Sequence, residues 1–229
     1  MRPVGILGGM GPEATILLMQ KVMAAIPASD DADHIPLIVH QNPQVPSRIA
    51  ALIDGTGKDP GPTLAGMARD LANAGAQALA MPCNTAHHYA QAIETATTLP
   101  FLNMIGATAD RLAASGAHSV GMLASPATRI ASVFDAAFAA RGLTPVWTRD
   151  EPAMLSLIRQ VKAGKDIGAT AAGLKEQAQM VLEQGAQHLL VACTELSLLT
   201  DHLPPNVPWD DSLDCLTTAI KDFATKPMD

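Results

Sequence analysis

The sequence predicts an α/β fold built from two similar, pseudosymmetric domains, each a mostly parallel sheet flanked by helices. Three observations predict it. Short apolar runs alternate with Ala-rich stretches of helical spacing, the pattern of βαβ units. The two halves match in sequence: Gly75-Ala76-Gln77-Ala78-Leu79-Ala80-Met81-Pro82-Cys83 lines up with Gly185-Ala186-Gln187-His188-Leu189-Leu190-Val191-Ala192-Cys193, and Val4-Gly5-Ile6-Leu7 with Val120-Gly121-Met122-Leu123. A chain of 229 residues has room for two small domains. Two unrelated βαβ units matching by chance is the competing account of the repeat.

The elements follow in order. Val4–Leu7 reads as a strand, and Gly8-Gly9-Met10-Gly11-Pro12 as a tight turn into a helix from Glu13 to about Ala25. Pro12 suits a first helical position, where its missing N–H costs nothing. Pro36–His40 is a second strand. Residues 41–62, rich in Pro, Gly and Asp, are irregular, with a short helix over Arg48–Ile53. Thr63–Asn73 is a helix, Ala78–Met81 a strand and Thr85–Thr95 a helix. In the second half Val120–Leu123 is a strand, Ile130–Ala140 and Ala169–Glu183 are helices, and Leu189–Val191 is a strand. Proline clusters place the chain crossings near Leu99–Gly106 and His202–Asp211. Residues 1–101 with 210–229 then form the first domain and 102–209 the second.

Composition narrows the function. The chain is 48% hydrophobic and 16% charged, too apolar for a disordered protein. Its net charge of −7 and its single Tyr, two Trp and four Phe do not suit a nucleic-acid partner. No apolar run reaches the roughly 18 residues of a membrane span, and the first residues lack the pattern of a signal peptide. A cytoplasmic location away from membranes is the expectation.

Three cysteines do not make a disulfide framework. Cys83 and Cys193 each stand where an apolar strand ends and a helix is about to begin, the edge at which open parallel sheets bind ligands. A Cys there can be a small buried hydrophobe, but two at equivalent positions of a repeat, followed by Asn84-Thr85 and Thr194-Glu195, point to chemistry. Facing each other across a cleft, one thiolate would remove a proton from a carbon acid. The other thiol would return one to the opposite face. Cys215 lacks this context and is assigned to packing.

The residues Gly8-Gly9-Met10-Gly11-Pro12-Glu13-Ala14-Thr15, Pro82-Cys83-Asn84-Thr85-Ala86-His87 and Cys193-Thr194-Glu195-Leu196 resemble the cofactor-independent aspartate/glutamate racemase superfamily, in its aspartate racemase branch. The resemblance covers nearly the whole chain. It implies two α/β domains around an active-site cleft, a homodimer, and neither pyridoxal phosphate nor metal. It implies Cys83 and Cys193 as the acid/base pair, with Asn84, Thr85 and Thr194 holding the α-carboxylate or amine and Met10 lining the pocket. Arg48 would meet a substrate carboxylate and Lys162 the side-chain carboxylate, which suits a dicarboxylic amino acid. His87 and Glu195 would aid proton transfer. On the residues alone, Arg48 suits bidentate carboxylate binding from a Pro-rich loop, whereas Lys162 reads as a solvated helix-end residue.

Two other readings account for less of the sequence. The loop Gly9-Met10-Gly11-Pro12-Glu13-Ala14 fits a loose dinucleotide fingerprint, but Pro12 removes a donor and the paired cysteines go unexplained. A metal site from Cys83, His87 and His88 fails because adjacent helical residues point apart. Within the superfamily, glutamate, broad-specificity and hydantoin racemases and maleate isomerases remain open, as does a non-catalytic binding protein with this fold.

Overall fold

The computed structural model describes residues 1–164 and 167–227. The first half runs β1 (Val4–Gly8), α1 (Pro12–Ala24), β2 (Leu37–Gln41), α2 (Arg48–Leu52), α3 (Gly61–Asn73), β3 (Ala78–Ala80), a 3₁₀ turn (Thr85–Tyr89), α4 (Ala90–Glu94), β4 (Phe101–Leu102) and α5 (Met104–Ala114). The second runs β5 (Ser119–Ala124), α6 (Pro126–Ile130), α7 (Asp135–Ala139), β6 (Thr144–Trp147), α8 (Glu151–Lys162), α9 (Ile167–Glu183), β7 (His188–Ala192), a 3₁₀ stretch (Leu196–His202), β8 (Trp209–Asp211) and α10 (Ser212–Thr225). Two four-stranded sheets result, in the orders β2-β1-β3-β4 and β6-β5-β7-β8, with every neighbouring pair parallel. The second is the first repeated strand for strand.

The matched residues do matched work. Gly75 (φ 97°) and Gly185 (φ 95°) end the long helices α3 and α9 in the left-handed region that favours glycine. A Cβ on Gly5 would stand 2.9 Å from the Ala76 Cβ and 3.0 Å from Leu79. On Gly121 it would stand 3.1 Å from the Ala186 Cβ and 3.0 Å from Leu189. Helix end and central strand approach so closely in both sheets that only hydrogen fits.

Helices cover both faces of each sheet, so β1 and β7 are buried along their whole length. Leu7, Leu79 and Met81 pack on α3 through Leu64, Met67 and Leu71, and Leu189 and Val191 pack on α8 and α9. The opposite faces show an exchange. Ile105, Ala109 and Leu112 of α5 pack with Val120, Met122 and Leu190 of the second sheet. Leu213, Leu216 and Ile220 of α10 pack with Val4, Ile6 and Ala80 of the first. Each half hands its last helix to the other. Full burial of a Leu or Ile is worth about 1.5–3 kcal/mol, so two such residues on α5 and three on α10 tie the halves together.

The return crossing is set by β8. β8 straddles residues 209 and 210 yet stays wholly in the second sheet, and the chain crosses back only at Ser212. Asp210 and Asp211 make that segment read as a loop. It pairs as a strand because Asp210 meets His188 Nε2 at 2.9 Å and Arg111 Nε at 2.8 Å, and Asp211 accepts from Ser197 Oγ at 3.0 Å. The helix expected over Ile130–Ala140 is two short ones, because Ser132 adopts φ 49° between them and the first begins earlier, at the Ser125 cap. The helix expected over Thr85–Thr95 opens as a 3₁₀ turn before becoming α-helical at Ala90. Among the described residues no helix is long and apolar enough to cross a membrane.

Candidate active site

Cys83 follows β3 and Cys193 follows β7, the strands that occupy equivalent places in the two sheets. Each is buried in its own half's core, at 7% and 6% exposure. Yet both line one cleft between the halves, with Met10, Ser47, Arg48, Ile49, Thr85, Ser125, Ile158, Lys162 and Glu195. A thiol that is core on one side and cleft on the other is held rigidly, which a two-faced reaction requires.

The surrounding turns are built to hold these positions. Gly9, at φ 95°, puts its Cα against the Asn42 backbone, where a Cβ would meet the carbonyl carbon at 2.4 Å. Its N–H donates to buried Thr15 Oγ1 at 2.9 Å. This fixes the turn that carries Met10 into the cleft, at 2% exposure. The Ser47 side chain caps α2 by accepting from Ala50 N at 3.2 Å and so sets Arg48 at the cleft wall. Arg48 Nη1 donates to the Pro46 carbonyl at 3.1 Å and the Val45 carbonyl at 3.4 Å. Its Nε is buried with no partner among the described residues, a donor suited to an anionic ligand.

On the other wall Lys162, in the last turn of α8, meets Glu195 Oε1 at 3.1 Å. Glu195 Oε2 accepts the Cys193 thiol proton at 3.0 Å. Burial, and then the adjacent Glu195 carboxylate, push the Cys193 thiol well above the usual thiol range; Lys162 opposes them. Burial disfavours the Lys162 charge, but the Glu195 carboxylate, joined by the two cysteines when they are ionised, outweighs it and raises its pKa. Cys193 is therefore held as a thiol, with its proton directed to the Glu195 carboxylate.

Not every expected residue reaches the cleft. Asn84 is buried, and its Nδ2 donates to Ser212 Oγ at 2.9 Å, which in turn donates to the Val191 carbonyl at 3.1 Å. Thr194 Oγ1 donates to the Pro82 carbonyl at 3.3 Å. The Asn84 amide nitrogen and the Thr194 hydroxyl thus serve the junction between the halves, while Asn84 Oδ1 is buried with no partner among the described residues. His87 lies behind the cleft. Its Nε2 accepts from Met104 N at 3.2 Å, so Nδ1 carries the hydrogen and donates to the Cys83 carbonyl at 2.8 Å. Burial pushes its pKa down to about 4. With both nitrogens engaged and the ring neutral, His87 fixes the Cys83 turn and has no position free to carry a proton, contrary to the auxiliary role expected. Glu195 does stand at the Cys193 sulfur. Cys215 is buried in α10, away from the cleft.

Ser47, Ile49, Ser125 and Ile158 were not singled out from the sequence. Two signals point to Ser125 and Ile158. Ser125-Pro126 follows β5 as the Met10 turn follows β1, and Ile158 precedes Lys162 by four residues, on one helix face. Among the described residues no three His, Cys, Asp or Glu side chains are grouped to hold a metal.

Comparison with known proteins agrees with this fold. A curated broad-specificity amino-acid racemase from Bacillus subtilis (strain 168) is 25% identical over 230 residues, spanning 93% of this chain and 94% of that one. The structure of an aspartate racemase from Picrophilus torridus superposes with a TM-score of 0.85 at 28% identity, covering 100% of this chain and 96% of that one. A glutamate racemase from Francisella tularensis, in complex with D-glutamate, shares the fold at a TM-score of 0.67 and 18% identity, over 97% of this chain and 80% of that one. The family model for Asp/Glu/hydantoin racemases matches residues 7–220. The chain belongs to the Asp/Glu/hydantoin racemase family and is, with it, an isomerase.

Proposed function

We propose that the protein interconverts the L and D forms of a dicarboxylic amino acid, aspartate or glutamate, by two-base proton transfer at Cα. The observation that carries this reading is that the thiols at equivalent positions of the two sheets line one cleft. One thiolate takes the Cα proton from one face as the opposite thiol delivers a proton to the other, which inverts the centre. Cys193, hydrogen-bonded as a thiol, is the donor in the first half of that cycle. The α-carbon of an amino acid is a weak acid, so the enolate-like charge must be met by donors fixed in advance. Arg48 and Lys162 stand on opposite walls of the cleft and supply two cations for two carboxylates. The names of the similar B. subtilis and P. torridus proteins support an amino-acid substrate.

This chemistry calls on the chain's own residues at every step. A homodimer forms part of the same proposal, supported by the exposed apolar side chains Ile16, Met19 and Met23 on α1. The test is Cα hydrogen exchange in D₂O with L-Asp, D-Asp, L-Glu and D-Glu and no cofactor added, with chiral chromatography of the same samples. Deuterium incorporation with inversion supports the reading and names the preferred acid. Absence of exchange with all four overturns it.

A further inference from the structure

Where the chain crosses back from the second sheet to the first, two residues reach both cysteine turns. Asp211 ends β8, opposite Val191 of β7, and Ser212 opens α10, which packs on the first sheet. Ser212 Oγ accepts from Asn84 Nδ2 at 2.9 Å and donates to the Val191 carbonyl at 3.1 Å. Asn84 directly follows Cys83, and Val191 stands two residues before Cys193. With Asn84 Oδ1 unpartnered, the Ser212 hydroxyl is the one hydrogen-bond partner of that side chain among the described residues. Asp211 Oδ1 accepts from Leu213 N at 2.8 Å, in the first turn of α10, and from Ser197 Oγ at 3.0 Å. Ser197 stands four residues after Cys193. Ser197, Asp211 and Ser212 are all buried, and all three lie outside the cleft lining.

A reaction on both faces of one Cα needs its two sulfurs at a fixed separation, and a misplacement of about 1 Å can cost roughly 10²-fold in rate. Each cysteine turn belongs to a different half, so the separation is set by the bonds that tie the turns together. The Thr194–Pro82 bond ties them directly, at 3.3 Å. The shorter bonds of Ser212 tie them through the crossing. We propose that Ser212 and Asp211 are positioning residues for racemisation, which fix the distance between Cys83 and Cys193 by holding the turns on either side of the crossing. The path from one turn to the other is a directed chain, from the Asn84 amide to the Ser212 hydroxyl to the Val191 carbonyl, in which each bond polarises the next. Ser212→Ala breaks this chain and leaves the buried Asn84 amide without its anchor. Ser197→Ala frees the Cys193 turn from Asp211. The inference rests on the two-thiol reading above and adds to it which residues space the thiols.

The experiment compares two reactions of one enzyme. Racemisation needs both sulfurs. Loss of chloride from 3-chloroaspartate, or from 3-chloroglutamate if glutamate is the acid racemised, needs one. A thiolate takes the Cα proton, the C–H electron pair becomes the Cα–Cβ double bond, and chloride leaves from Cβ. In Ser212→Ala racemisation is expected to fall at least about tenfold, while chloride release stays within about threefold of the wild type. Ser197→Ala, which leaves the Ser212 bonds in place, is expected to move the ratio the same way and decides the matter if Ser212→Ala does not fold. A purely structural loss removes folded enzyme and lowers both reactions in proportion. Thr217→Val removes a buried hydroxyl that donates within α10 to the Leu213 carbonyl at 2.8 Å, and is expected to keep the wild-type ratio. A proportional fall of both reactions in the two serine variants, unchanged racemisation in them, or an equal shift of the ratio in Thr217→Val overturns the positioning role and leaves two-base racemisation standing. Absence of racemisation or of chloride release by the wild type overturns the underlying reading instead.

Discussion

Thr85 and Thr128 meet hydroxyl to hydroxyl at 2.8 Å, joining the turn after β3 to the short helix after β5. One belongs to each half, and Thr85 lines the cleft. This bond and the Thr194–Pro82 bond bridge the halves beside the two sulfurs. Thr128→Val keeps the volume and removes the hydroxyl. The expected loss is about 1 kcal/mol of stability by denaturant titration, the net worth of one neutral hydrogen bond. An unchanged midpoint would show that the bridge contributes nothing.

The thiols can be tested one at a time. Cys83→Ser and Cys193→Ser are each expected to lower racemisation by at least about 10²-fold, the low end for a positioned acid/base group. Far-UV circular dichroism should stay as in the wild type, because serine nearly matches cysteine in volume. The remaining thiol can still remove and return a proton on its own face. Each variant is therefore expected to wash deuterium into one enantiomer without inverting it. Racemisation at the wild-type rate in either variant would refute the two-base mechanism.

Arg48 offers an unpartnered Nε at the cleft wall. A charge-assisted hydrogen bond is worth about 1.5–3 kcal/mol. Arg48→Ala is expected to raise KM for aspartate roughly 10- to 100-fold. Inhibition by succinate should weaken more than inhibition by butyrate. Equal weakening of the two would assign Arg48 to a carboxylate common to both.

Stability should depend on pH through two buried groups that oppose each other. Burial lowers His87 from 6.5 to about 4, so between those values the unfolded chain binds more protons and stability rises with pH. Burial raises Asp211 from 3.8 to about 6, so between those values the folded chain binds more protons and stability falls as pH rises. The windows overlap between about 4 and 6, where the two slopes cancel. Asp211→Asn removes one of them. Its stability is expected to climb across pH 4–6 at up to roughly 1.4 kcal/mol per pH unit relative to the wild type. Parallel curves for the two proteins would show that Asp211 is ionised throughout.

The repeat and the two strand-end cysteines were legible in the sequence because each rests on local pattern, whereas Met10 and Arg48 entered through the family resemblance. An apolar strand followed by a turn announces itself, and so does a duplicated one. Gly75 and Gly185 match because the same helix must end twice in the same way. The acidic strand β8 was hidden because Asp210 and Asp211 look like loop residues until His188, Arg111 and Ser197, distant in sequence, come to meet them.

The sequence by itself determined the α/β class, its repetition and the two sulfurs at the strand ends, since strand and helix periodicity and turn chemistry act over a few residues. Only the tertiary structure decided what those sulfurs face. It sent the Asn84 amide nitrogen and the Thr194 hydroxyl to the junction between the halves and closed both nitrogens of His87. It also set Glu195 between Lys162 and Cys193. The reason is physical: the direction of a side chain and the burial that shifts its proton affinity depend on neighbours far away in the chain, and those exist only once the halves have packed.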